Sequence, residues 1–109
     1  MLVCVFALGI FASCATYYRD YKISVDGVMS INHRGYSAEA PENTLAAFRM
    51  SKEMGFDAVE CDVRFTKDGV PVLLHDEKVD RTSNGKGKIG DLTLEQVRKL
   101  DFGSWKSAE

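Results

Sequence analysis

Two apolar, strand-like runs in this chain end in histidine, and a third between them carries two acids one residue apart. The runs are Val28 to His33, Ala58 to Phe65, and Val70 to Leu74, which leads into His75. Between the first two, Asn43 or Thr44 is placed to cap a helix whose apolar positions Leu45, Phe48 and Met54 share a side, with Gly55 as its stop. Strand, helix and strand, with polar residues gathered at the strand ends, specify an α/β protein, either a barrel or a doubly wound sheet. In a barrel the active site collects at the carboxyl ends of the strands, which is where His33 and His75 fall.

The second run alternates. Ala58, Glu60, Asp62 and Arg64 share one face, and Val59, Cys61 and Val63 share the other. The valines are expected to pack outward against helices, with Cys61 as buried filler between them rather than a metal ligand. Thr66-Lys67-Asp68-Gly69 is a turn, strongest at Asp68-Gly69. Gly85, Gly87 and Gly90 mark a flexible loop, and Thr93 with Gln96 forms a capping box for a helix carrying Leu94, Val97 and Leu100.

Imidazoles titrate near neutral pH without special help, so His33 and His75 can serve as acid and base. Glu60 and Asp62 stand roughly 6.6 Å apart along one side of a strand. Hard oxygen ligands in that arrangement suit Mg²⁺ or Ca²⁺ better than zinc. Two inward carboxylates without a counter-charge are costly. A bound cation removes that cost, with Arg34 or Arg64 assisting; the alternative is a structural ion cluster of the two acids with Arg64 and a lysine. Two histidines beside an acidic cation site can hydrolyse a phosphate ester.

The same residues carry a family resemblance. His33-Arg34-Gly35, Pro41-Glu42-Asn43-Thr44, Glu60-Cys61-Asp62, the stretch from Thr66 to Asp76, and Arg81-Thr82-Ser83-Asn84-Gly85-Lys86-Gly87 occur in that order. Together they resemble the amino-terminal part of the glycerophosphodiester phosphodiesterases, from about Ile31 to Trp105. The resemblance implies a TIM-type (β/α)8 barrel, which takes roughly 250 residues, so a chain of 109 is expected to hold about its first third. It also implies metal-dependent cleavage of small-molecule glycerophosphodiesters to glycerol 3-phosphate and an alcohol, with a further acidic ligand on a later strand.

On this reading His33 and His75 are catalytic, Arg34 holds the phosphate or braces its loop, and Glu60 and Asp62 bind the metal. Glu42 is a further candidate, as a ligand or behind the ligands; otherwise it is a favourable acid at a helix start. Asp76 orients His75 or braces its loop, and Arg81 with the glycine loop shapes the site edge. That loop lacks the Lys-Ser/Thr ending of a nucleotide-binding loop. Rival readings are a phospholipase-D-like relative acting on lysolipid or sphingolipid, and a membrane-tethered binding module without catalysis.

Residues 1–18 contain no charged side chain, a length at the lower edge for a membrane span. They are expected to form a membrane segment or a leader, followed by a linker over 19–27 and the truncated catalytic domain over 28–109. A secretory leader would want basic residues before its apolar core, and none precede it; Phe11-Ala12-Ser13-Cys14 resembles a lipoprotein cleavage box. The expected location is membrane-associated, on an undetermined side, with a secreted or lipoprotein form as the alternative. The net charge of −2, without a basic stripe, argues against a nucleic-acid partner. The cysteine spacing gives neither a zinc site nor a disulfide framework.

Overall fold

The computed structural model describes residues 27–106. The apolar segment over 1–18 and nearly all of the linker lie outside them, as do Cys4 and Cys14. Among the described residues no helix is long and apolar enough to cross a membrane. β1 (Ile31–Asn32) leads through a turn-rich loop to α1 (Leu45–Glu53), and β2 (Ala58–Val59) returns parallel to β1. β3 (Val63–Phe65) and β4 (Pro71–Leu73) form an antiparallel hairpin, followed by a 3₁₀ turn (Ile89–Asp91) and the short α2 (Leu94–Val97).

Thr44 caps α1, its hydroxyl accepting from the Ala47 N–H at 3.3 Å. Gly55 closes the helix at φ +81°, a conformation glycine adopts freely. The buried side matches the expected one only at Phe48, which is half-buried. Ala47 and Ser51 are buried, while Leu45 and Met54 are 44% and 59% exposed. The cause is a close approach: a Cβ placed on Gly35 would lie 2.8 Å from the Ala47 Cβ and 2.9 Å from its carbonyl carbon. At position 47 only a small side chain fits against a loop that near.

The run from Ala58 to Phe65 changes partner at its middle rather than continuing as one strand. Glu60 N–H donates to the Asn32 carbonyl at 2.9 Å, prolonging the β1–β2 ladder, whereas the Asp62 carbonyl accepts from Leu74 N–H at 3.0 Å, prolonging the β3–β4 ladder. Val70 to Leu74 is therefore the hairpin return of the Asp68-Gly69 turn, not a third parallel neighbour. Among the described residues the strands form two separate pairs.

The core lies on one side of β4. Val72, Leu74, Val79, Ile89 and Val97 are buried together, with Leu92, Leu94, Leu100 and Phe102 packed against them. The Thr93–Gln96 capping box forms as the sequence requires. Asp68 Oδ1 accepts from Leu94 N–H at 3.0 Å, which docks α2 onto the hairpin turn. The Val59, Cys61 and Val63 face corrects the expectation of burial: Val59 is 39% and Val63 49% exposed, and Cys61 is exposed as well. No helix among the described residues covers that face.

Candidate active site

Consecutive left-handed residues after β1, Arg34 at φ +59° and Gly35 at φ +78°, turn the chain sharply behind His33. The turn aims the Arg34 backbone N–H at Glu60 Oε2, 3.1 Å away. It also tucks the guanidinium among three acids. Nη1 donates to Glu42 Oε1 at 3.1 Å. Nε stands 3.3 Å from Asp62 Oδ2, an ion-pair distance, although its N–H is not aligned on any acceptor. Asn43, also left-handed at φ +57° and buried, clamps Asp62 from the other side. Its amide donates to Asp62 Oδ2 at 3.0 Å and its Oδ1 accepts the Asp62 N–H at 3.1 Å. Glu60 and Asp62 do share a face, as alternation requires, because both meet Arg34.

His33 projects from this cluster, its side chain 70% exposed, with Nε2 3.9 Å from Glu60 Oε2. His75 stands beyond β4 and is held twice. Arg64 donates to its carbonyl from Nε at 2.9 Å and Nη2 at 2.6 Å, so Arg64 is not a counter-ion to Glu60 and Asp62. The ring Nδ1 lies 2.7 Å from Asp76 Oδ1, the orienting role expected of Asp76. Arg81 then grips Asp76 and, through Nη1 and Nη2, both oxygens of Glu42 at 2.8 Å. The Arg81 hydrogen bonds, with further help from Arg34, hold the Glu42 carboxyl below its usual range. Arg81, and after it His75, hold the Asp76 carboxyl far below its own, while Glu42 and Asp76 push the guanidinium still higher.

One polar network thus runs from His33 to Glu60, Arg34, Glu42, Arg81, Asp76 and His75, with Asp62 as a branch on Arg34. The structure brings five of the six candidate residues into one cluster and sets the sixth, His75, at its far end. Sequence reasoning missed Asn43 as the clamp on Asp62 and Arg81 as the link between the two loops. Both lie inside motifs already singled out, but alternation and periodicity say nothing about residues on loops.

Among the described residues no group of three or more His, Cys, Asp or Glu is arranged to hold a metal ion, so Glu60 and Asp62 could supply at most part of a ligand set. The chemistry of that part fits a hard divalent cation. Four carboxylates (Glu42, Glu60, Asp62, Asp76) face two guanidinium groups (Arg34, Arg81) in the network, leaving two negative charges when the histidines are neutral. Both oxygens of Glu42 accept hydrogen bonds from arginines, which makes it an organiser of the cluster in this structure.

Two histidines, an acidic pair and guanidinium groups thus come together at strand ends of an α/β frame. The pattern of the glycerophosphoryl diester phosphodiesterase family matches residues 33–109, and the chain belongs to that family. It is 59% identical over 76 residues to glycerophosphodiester phosphodiesterase 1 of Rattus norvegicus, covering 70% of this chain and 23% of that protein. It is 56% identical over 73 residues to the glycerophosphodiester phosphodiesterase of Caldanaerobacter subterraneus, covering 67% and 30%. Among solved structures, it resembles an Oleispira antarctica phosphodiesterase in complex with the product sn-glycerol-3-phosphate, with a TM-score of 0.72 and 43% identity over 74% of this chain and 33% of that one. The chain therefore spans about a quarter to a third of the length of these relatives.

Proposed function

We propose that the full-length protein hydrolyses glycerophosphodiesters to glycerol 3-phosphate and an alcohol, on a (β/α)8 barrel of which this chain forms the first third. One observation carries the reading: the two motif histidines end a single network of carboxylates and guanidinium groups. Relatives named as glycerophosphodiester phosphodiesterases, and one whose structure holds glycerol phosphate, support it.

A phosphodiester anion repels nucleophiles, so positive charge must reach its oxygens first. A divalent cation, Mg²⁺ or Ca²⁺, carried by Glu60 and Asp62 with a further ligand from later in the fold, supplies that charge when bound. Arg34 adds fixed positive charge beside the same carboxylates and offers N–H donors for the phosphate. Of His33 and His75, one takes the proton of the attacking oxygen, either the glycerol hydroxyl of the substrate or a water. The other gives a proton to the departing alcohol oxygen. His75, bonded to Asp76 through Nδ1, presents Nε2 for its transfer. Glu42 orients Arg34 and Arg81.

Incubating the full-length protein with a choline-bearing glycerophosphodiester should release glycerol 3-phosphate, read by a coupled dehydrogenase assay. No release from that substrate, with turnover of lysolipid or sphingomyelin instead, would overturn the assignment. The uncharged run over 1–18 is proposed to attach the protein to a membrane. Recovery in an alkaline-washed membrane pellet supports that attachment, and recovery in the soluble or secreted fraction refutes it.

A further inference from the structure

The geometry points to Arg81 as a positioning residue for His75, an inference that rests on the phosphodiesterase reading above. Its guanidinium is used on all three nitrogens. Nε and Nη2 donate to Asp76 Oδ2 and Oδ1 at 2.8 and 3.1 Å, while Nη1 and Nη2 donate to Glu42 Oε2 and Oε1 at 2.8 Å each. A planar fork satisfies two carboxylates at once in fixed directions, which an ammonium group cannot do.

Asp76 follows His75 directly in the chain, and its Oδ1 is both the acceptor for Arg81 Nη2 and the partner of His75 Nδ1 at 2.7 Å. An aspartate side chain 32% exposed has rotamer freedom of its own, and the two bonds from Arg81 remove it. Asp76 then holds the neutral imidazole with Nδ1 as donor, which leaves Nε2 as the atom that exchanges a proton. Arg64 anchors the backbone of the same residue through the His75 carbonyl, so backbone and ring are fixed by different arginines. Because Arg81 also grips Glu42, which Arg34 holds, it sets the His75 loop against the loop that carries Glu42 and Asn43.

A mere loop brace would alter stability without altering the ring. The test uses the full-length protein with R81A and R81K, long-range ¹⁵N–¹H spectra of the imidazoles, and steady-state kinetics on the choline-bearing glycerophosphodiester. Wild type should show His75 as the Nδ1–H tautomer. R81A should show mixed tautomers and a kcat lower by about 10- to 100-fold, with KM moved by less than about threefold. R81K, a point charge without the fork, should recover only part of the loss. If R81A fails to fold, R81K carries the comparison. Folded variants with wild-type kcat and an unchanged His75 tautomer would overturn the assignment. A wild-type protein inert toward glycerophosphodiesters would instead refute the functional reading, and the tautomer shift would still decide the role of Arg81.

Discussion

Replacing Gly35 and Gly69 separately by alanine measures how closely α1 is pressed onto the site loop. The two glycines share nearly the same left-handed backbone, φ +78° and +76°. Their surroundings differ. A Cβ at Gly69 meets nothing within 4 Å, whereas at Gly35 it would fall 2.8 Å from the Ala47 Cβ, 2.8 Å from Phe48 Cδ1 and 2.9 Å from the Ala47 carbonyl carbon. The shared conformational cost is about 1–2 kcal/mol, offset by about 0.4–1 kcal/mol through a less flexible unfolded chain. Gly69→Ala should therefore cost about 0–1.6 kcal/mol. Gly35→Ala adds an overpacking cost of about 1–3 kcal/mol, and because one contact is backbone, the helix itself must move. In a domain of barrel size the two thermal midpoints should differ by roughly 2–12 °C. Turnover should fall in Gly35→Ala alone, since Arg34 precedes the strained residue. Equal midpoints for the two variants would refute the close-approach argument.

His33→Ala and His75→Ala should each lower turnover by about 10² to 10⁴ in a protein that melts normally; near-normal turnover in either would remove that residue from proton transfer. Chelator should abolish activity and Mg²⁺ or Ca²⁺ restore it, with zinc a poor substitute, and full activity in a sample shown metal-free by elemental analysis would contradict this. Glu42 and Asp76 have folded pKa values below their unfolded ones, and Asp101 is pulled down to about 2, first by the Ser104 hydroxyl and then by backbone N–H groups. Their stabilisation is thus complete above the ordinary carboxylate range and fades as pH falls through it, so denaturation midpoints should drop below about pH 4.5; a midpoint unchanged down to pH 2 would count against the network. The 109-residue chain by itself should associate, because Ile31, Val59, Val63 and Phe65 are 39–60% exposed, and a sharp monomeric melt would show otherwise.

What could be read from the sequence was local. The Thr93–Gln96 box, the Thr44 cap, the Asp68-Gly69 turn and the shared face of Glu60 and Asp62 all follow from spacing within a few residues. Failures came where a distant element decides. α1 buries Ala47 against Gly35, ten or more residues earlier, and Ser51, whose hydroxyl accepts from the Asn32 amide at 3.0 Å, while Leu45 and Met54 stay exposed. The single strand from Ala58 to Phe65 divides because β1 claims its start and β4 its end. Cys61 sits at that change of partner, and its face is exposed for want of a covering helix among the described residues.

The counter-charge for Glu60 and Asp62 shows the same limit in energetic form. Alternation put two acids on one side, and a cation, with Arg34 or Arg64 assisting, was the compensation the pattern suggested. The left-handed turn at Arg34 brings a guanidinium to that place, 3.3 Å from Asp62, with its backbone N–H on Glu60. The acids are therefore held in position by the protein itself, which would lower the reorganisation needed to bind the proposed metal. Arg34 cannot replace the metal, however, because it is shared with Glu42, and Arg81 is spent on Glu42 and Asp76. Two negative charges remain uncompensated in the network. On the proposed metal-dependent reading, a guanidinium that orients the acids while leaving that deficit would preorganise the site for a divalent cation of hard character.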